Sequence, residues 1–98
     1  MITAKFNFGQ LVMTAEPHAL AMSNSEFGAH VGEALRRYFS CDWGDICASD
    51  AEMNDKAVAG AEDRIMGVYE HPKHEDWKIW IITEWDRSVT TILFPHEY

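Results

Sequence analysis

The sequence predicts an α+β domain in which N-terminal helices pack on one face of a three- or four-stranded antiparallel sheet. The stretch 77–95 is dense in aromatic and β-branched residues on either side of the polar turn Asp86-Arg87-Ser88, which is the composition of two paired strands. The middle of the chain instead repeats its apolar residues at helical spacing. Because the 98 residues are enough for one hydrophobic core and too few for two, we expect a single domain over residues 1–98.

Three helices are expected in the first 60 residues. Thr14 is a polar cap with a proline three residues later, and this pattern begins a short helix. A Ser-x-x-Glu capping box at residues 23–26 begins a second helix over about 25–39. The apolar residues at helical spacing in this helix are Phe27, Val31, Leu35 and Tyr38. A second capping box at residues 49–52 begins a third helix that stops at Gly60.

Strands are expected at both ends of the chain. The segment 5–14 alternates in part and reads as extended, and residues 64–70 form a strand with Gly67 as a candidate bulge. Short turns between the last three strands favour an antiparallel meander. Alternation directs one set of side chains toward the helices: Trp77, Ile79, Ile81 and Thr83. The opposite face, which we expect to be partly exposed, carries Lys78, Trp80, Ile82 and Glu84.

The charge of the chain limits its possible partners. Sixteen acidic against eight basic side chains give a net charge of −8, which argues against direct binding of nucleic acid and favours a basic protein surface as partner. An acidic surface that serves solubility alone is the alternative. Since the sequence shows neither an apolar run of ~18 residues nor a secretory start, we expect a cytoplasmic monomer in a bacterial host cell, without membrane contact.

Sequence motifs for catalysis or cofactor binding are missing. There is no glycine-rich phosphate loop, no His-Glu-x-x-His and no Cys-x-x-Cys, and Cys41 and Cys47 are expected to be reduced thiols. His71 and His74 share a loop, and a metal held there would need a third ligand such as one of the acids that follow them; solvated histidines are the alternative. We therefore expect no enzyme, no catalytic residue, no metal and no cofactor, and a small metal-dependent hydrolase is the least favoured alternative.

Acidic side chains are concentrated between residues 42 and 63, where the single basic residue is Lys56. They are Asp42, Asp45, Asp50, Glu52, Asp55, Glu62 and Asp63, and Glu75 and Asp76 extend the charge toward the sheet. Carboxylates in such a row mimic the spacing of phosphates. We take these nine residues as the partner-binding surface, with Trp43 as a candidate aromatic anchor. A tryptophan buried against the helix ends, and aspartates that only stabilise a turn, are the alternatives.

Several segments of the chain resemble one family. The segment Asp42-Trp43-Gly44-Asp45, the start Phe8-Gly9-Gln10-Leu11, and the ending WIITE-x-DRS-x-TT-x-L-x-P-x-EY at residues 80–98 are similar to small, largely uncharacterised bacterial proteins found on phages and plasmids. The chain departs from them at Trp85, where small residues are usual.

The resemblance implies an anti-defence role. We expect an anti-CRISPR inhibitor that binds a type I Cascade surveillance complex through a DNA-mimicking acidic surface and blocks its binding to target DNA. The alternative is an accessory module of a mobile element that binds a protein through its Trp-rich sheet face.

Overall fold

A computed structural model describes residues 4–60 and 63–98. It confirms the α+β class, with three α-helices that precede the C-terminal strands and one mixed four-stranded sheet. The elements are β1 (Gln10–Met13), α1 (Ala15–Ser23), α2 (Ser25–Phe39), α3 (Ala48–Gly60), β2 (Ile65–Tyr69), β3 (Ile79–Thr83) and β4 (Val89–Leu93). Short 3-10 helices cover Glu75–Trp77 and Pro95–Glu97.

The sheet has the strand order β1-β4-β3-β2. The last three strands form the predicted antiparallel meander. The prediction of a purely antiparallel sheet is wrong, because β1 lies parallel to β4, from Gln10 opposite Val89 to Met13 opposite Ile92. A parallel pair needs a long connection that returns the chain to the same end of the sheet, and the three helices form part of that connection.

α1 follows its predicted cap, Thr14, although the Thr14 side chain makes no capping hydrogen bond. The other two helices begin at residues other than the predicted caps. The cap of α2 is Asn24, whose Oδ1 accepts hydrogen bonds from the backbone N–H groups of Glu26 (3.0 Å) and Phe27 (3.1 Å). Ser23 instead ends α1. Likewise, Ser49 lies inside the first turn of α3 and does not cap it. Both predicted capping boxes are therefore displaced, although the bounds of α2 agree with the prediction.

Gly67 is not a bulge. The register of β2 with β3 runs without interruption, and Gly67 lies opposite Ile81. A Cβ atom at Gly67 would lie 2.6 Å from the hydroxyl oxygen of Tyr69, two residues along on the same face. The glycine therefore makes room for a large aromatic ring on the helix side of the sheet.

The helices cover the predicted face of the sheet. Ile79, Ile81 and Thr83 are fully buried there. Trp77 belongs to a 3-10 helix and not to the strand, yet it is buried as well and meets Phe27 of α2 edge-on, with ring centroids 5.4 Å apart. The burial pattern extends to a residue before the start of β3. Sequence alternation therefore predicted the burial of Trp77 correctly and its strand conformation wrongly.

The second face of the sheet is less exposed to solvent than predicted. Ile82, Val68 and Leu93 are buried on it, and Trp80 is half-buried. The C-terminal segment folds back over this face, where the ring of Tyr98 meets Trp80 with centroids 5.5 Å apart. The expectation of a partly exposed face therefore fails for Ile82 and holds for Trp80.

A chain of buried hydroxyl groups ties α2 to the sheet. The Tyr38 hydroxyl lies 2.6 Å from that of Thr83, which lies 2.7 Å from that of Thr90, and Thr90 donates to the carbonyl oxygen of Phe8 at 2.7 Å. Each hydroxyl has one proton, and Thr90 donates its proton to Phe8. Thr83 therefore donates to Thr90, and Tyr38 donates to Thr83. Burial raises the pKa of the Tyr38 phenol far above its ordinary value, which keeps this first donor protonated.

The outer edge of β2 is covered by side chain and loop. The Asn54 amide donates to the carbonyl oxygen of Met66 (2.7 Å) and accepts from its N–H group (3.2 Å). Two residues further along the strand, the N–H of Val68 donates to the carbonyl oxygen of Trp43. The carbonyl oxygen of Val68 accepts from the N–H of Asp45. This edge strand therefore has its backbone groups paired, which protects it from pairing with another chain.

Replacing Asn54 by alanine is expected to lower the free energy of unfolding by about 2–3 kcal/mol, because both backbone groups of Met66 lose their partner at a buried site. Urea denaturation followed by circular dichroism measures the change. Met53→Ala is the matched control on the exposed side of the same helix and should change stability by no more than ~0.5 kcal/mol. Equal losses in the two variants would contradict the assigned role of Asn54.

Candidate functional site

The predicted acidic residues fall into two places in the fold. Six of them lie on the segments that flank the outer edge of β2, and we call this set the acidic edge: Asp42, Asp45, Asp50, Glu52, Asp55 and Asp63. Glu75 and Asp76 lie in the 3-10 helix before β3, beside His74, which is 3.8 Å from Glu26 of α2. Glu62 lies outside the described residues. Glu75 and Asp76 thus lie on a segment next to α2 and are not part of the acidic edge.

Two carboxylates of the acidic edge have a basic partner. Asp42 accepts two hydrogen bonds from Arg37, at 2.9 and 3.3 Å, and these hold the pKa of its carboxyl below the ordinary value. Lys56 lies 3.3 Å from Glu52, one helical turn away. Within residues 4–60 and 63–98, no lysine or arginine lies within 4.0 Å of the other four carboxylates, which are Asp45, Asp50, Asp55 and Asp63.

Trp43 is a core residue and not a surface anchor. Its side chain is only 4% exposed and packs against the rings of Phe6 and Tyr38, with centroids 5.9 and 5.4 Å away. Its indole N–H donates to Asp55 at 2.9 Å. The alternative of a buried tryptophan is therefore the one that the structure shows, and this residue fixes one carboxylate of the acidic edge in position.

Hydrogen bonds to backbone groups fix Asp45 as well. The Asp45 carboxylate accepts from the N–H of Glu70 at 3.0 Å, and the N–H of Asp45 donates to the carbonyl oxygen of Val68 at 2.7 Å. The turn-stabilising role considered for this aspartate is thus present, and it leaves the carboxylate exposed. A carboxylate held in this way loses less side-chain freedom when a partner binds.

Arg87 is the residue of this region that sequence reasoning missed. Its guanidinium is buried and donates to four backbone carbonyls, those of Ala57 (2.9 Å), Asp63 (2.7 Å), Glu84 (3.1 Å) and Trp85 (3.4 Å). These bonds attach the end of α3 and residue 63 to the β3–β4 turn. The only signal in the sequence is an arginine placed between two strongly apolar strands.

Apolar groups adjoin the acidic edge. A cleft of about 310 Å³ lies between α3 and β2, and its lining residues are Asp50, Met53, Asn54, Asp63, Arg64 and Met66. Trp85 is 65% exposed, and its carbonyl lies 3.4 Å from the Arg87 guanidinium that also binds residue 63. Trp85, the residue at which the sequence departs from the family that it resembles, is therefore an exposed tryptophan in the β3–β4 turn, whose Arg87 also binds residue 63.

The loop histidines do not converge with acids on one point. His71 lies beside His74, and His74 stacks on Trp77 with centroids 3.8 Å apart. In the part of the chain that the structure describes, ligand-type atoms from three residues come within 4.8 Å of one another at Glu16, His96 and Glu97. This group is mostly exposed, and its histidine already pairs with Glu16 at 2.6 Å.

Among the described residues, every helix is too short or too polar to cross a lipid bilayer. Comparisons with protein-family models, with curated proteins and with solved structures found no match. The family resemblance of the sequence therefore stays a prediction, and the function has to be argued from the site itself.

Proposed function

We propose that this protein is a non-enzymatic anti-defence inhibitor that binds a type I Cascade surveillance complex through the acidic edge and so prevents target DNA from binding. The observation that carries the proposal is that, among the described residues, four carboxylates flanking the outer edge of β2 have no lysine or arginine within 4.0 Å, in a chain with a net charge of −8. A channel lined by lysine and arginine for DNA is the complementary surface.

The acidic edge is attached to rigid elements. Asp50 and Asp55 lie on α3, which Asn54 fastens to the sheet, and Arg87 holds the backbone at Asp63. Preorganised charges attract a basic partner over a distance of roughly a Debye length, and they lose little entropy on binding. Association should therefore be fast and should weaken as salt is added.

Apolar contacts would supply affinity that charge alone does not. Met53 is exposed in the cleft with Asp50 and Asp63, and Trp85 is exposed in the β3–β4 turn that Arg87 attaches to residue 63. Aromatic side chains that become buried commonly dominate the energy of protein interfaces. We assign Trp85 the anchor role that the sequence suggested for Trp43. An exposed tryptophan and a carboxylate-lined cleft on the same chain suit a protein groove with basic and apolar parts better than they suit free polynucleotide.

Replacing both Asp50 and Asp63 by lysine is expected to weaken inhibition at least ~100-fold, because attraction to the basic channel becomes repulsion. Both side chains line the cleft and are exposed, so the fold should persist. The measurement is competition between the purified protein and target duplex for the surveillance complex, with circular dichroism as the check on folding. Asp55 is left unchanged because it binds Trp43.

Glu75→Lys with Asp76→Lys is the matched control, since it makes the same change in net charge away from α3. It should retain inhibition within ~3-fold. Equal losses in the two double variants would show that net charge, and not the acidic edge, determines binding. Unchanged binding of target DNA at saturating wild-type protein would remove the proposal altogether.

A second candidate function is an accessory protein-binding module that uses the second face of the sheet. The buried indole N–H of Trp80 has no acceptor in the described part of the chain, and Tyr98 beside it is exposed. A donor without an acceptor favours a partner that reorders this face. Capture of a partner that survives about 1 M salt would favour this function over electrostatic mimicry.

A further inference from the structure

The two edges of the sheet differ in their protection. The outer edge of β2 is paired with Asn54 and with the loop at residues 43–45, whereas β1 is the terminal strand on the opposite side. The N–H of Gln10 donates to Ser88, and that of Thr14 donates to Ile92, each at 3.0 Å. Because backbone groups alternate along a strand, the N–H and C=O groups between these positions, at residues 11 and 13, point away from β4.

β1 is short, but it lacks the charge, proline and bulge that commonly prevent edge pairing. Its sequence, Gln10–Met13, contains no charge and no proline, and its register with β4 shows no bulge. Leu11 is 41% exposed on the helix side of the sheet. Any partner here must supply a strand with free backbone groups and an apolar side chain opposite Leu11.

The distribution of charge identifies a second copy of this chain as the occupant. The sixteen acidic residues all follow residue 15, and the only charged residue before that point is Lys5. The strand itself therefore adds no charge repulsion between two copies, and the acid that reaches its end, Glu97, is hydrogen-bonded to Thr14 at 2.8 Å. An isologous interface needs a self-complementary patch, and one strand paired antiparallel with itself provides it.

We propose that two copies associate through antiparallel pairing of their β1 strands about a two-fold axis at Val12. Leu11 of one copy then pairs with the partner's Met13, and four backbone hydrogen bonds form. The two four-stranded sheets become one of eight strands. This inference replaces the sequence-based expectation of a monomer. It does not depend on the proposed function, because the acidic edge lies at the far side of each sheet.

The association should be weak and dependent on concentration. A pair of four-residue strands and the contact of Leu11 bury less than the ~1,200 Å² of a standard stable interface. Sedimentation velocity of the full chain from about 1 μM to about 1 mM should show a monomer–dimer equilibrium. Hydrogen exchange at the amides of Leu11 and Met13 should slow as concentration rises, because only the dimer pairs them.

Leu11→Lys is expected to raise the dissociation constant at least tenfold, since it places a charge opposite the partner's Met13 and diagonal to the same charge on the partner. Met22→Lys is the matched control: it adds the same charge at an exposed methionine of α1, away from β1, and should leave the equilibrium unchanged. A wild-type chain that is monomeric up to 1 mM would overturn the proposal. A dimer that Leu11→Lys leaves intact, or whose Leu11 amide exchanges at a rate independent of concentration, would overturn it too. Binding of an unrelated extended peptide to a monomer would reassign the edge to another partner.

Discussion

Replacing Arg87 by methionine is expected to lower the free energy of unfolding by about 3–5 kcal/mol. Methionine has a similar length and fits an apolar surrounding, but it donates no hydrogen bond. The carbonyl oxygens of Ala57, Asp63 and Glu84 then lose the guanidinium that binds them. Urea denaturation followed by far-ultraviolet circular dichroism measures the loss.

Arg36→Met is the control for the removal of a positive charge. Arg36 lies on the exposed side of α2 and pairs with Glu33 at the surface, where an ion pair adds little stability. Its replacement should change stability by no more than ~0.5 kcal/mol. A loss below ~1 kcal/mol for Arg87→Met would show that water can satisfy these carbonyls and that the arginine does not hold the end of α3.

Replacing Trp43 by alanine is expected to cost about 3–5 kcal/mol, because a large ring leaves a cavity between Phe6 and Tyr38. The substitution also removes the indole N–H that donates a hydrogen bond to the carboxylate of Asp55. Trp43→Phe retains most of the packing and removes the indole donor, so its cost should be smaller, about 1–2 kcal/mol. The same urea titration measures both variants.

Trp85→Ala is the comparison that separates the two roles of tryptophan. This side chain is mostly exposed, and its loss should leave stability within ~0.5 kcal/mol of wild type. If Trp43→Ala and Trp85→Ala unfold at the same urea concentration, the placement of Trp43 in the core is wrong. A large loss for Trp43 alone agrees with its burial.

Sequence patterns predicted elements better than they predicted pairing. The apolar period over α2 and the meander of β2, β3 and β4 were predicted correctly, since both depend on neighbours close in sequence. The parallel pairing of β1 was not, because alternation identifies a strand without naming its partner or its direction. Trp77 shows the same limit, since its burial followed the pattern while its backbone turned into a 3-10 helix.

The candidate site was predictable in composition but not in arrangement. The spacing of Glu52 and Lys56 implies an ion pair, whereas the pair between Arg37 and Asp42 depends on how the chain turns after α2. Which aspartates lack a basic partner is therefore a tertiary property. The burial of Arg87 is also a tertiary property, since the carbonyl oxygens that accept its hydrogen bonds come from three separate segments.

The pairing of β1 with β4 joins positions near opposite ends of the chain, as in the register of Gln10 with Val89. During synthesis, β1 is made long before β4, its neighbour among the described strands. The sheet cannot be completed until β4 has been translated, so folding should be slower than that of a helical bundle of this size. Until then the uncharged N-terminal strand is available to chaperones and to aggregation.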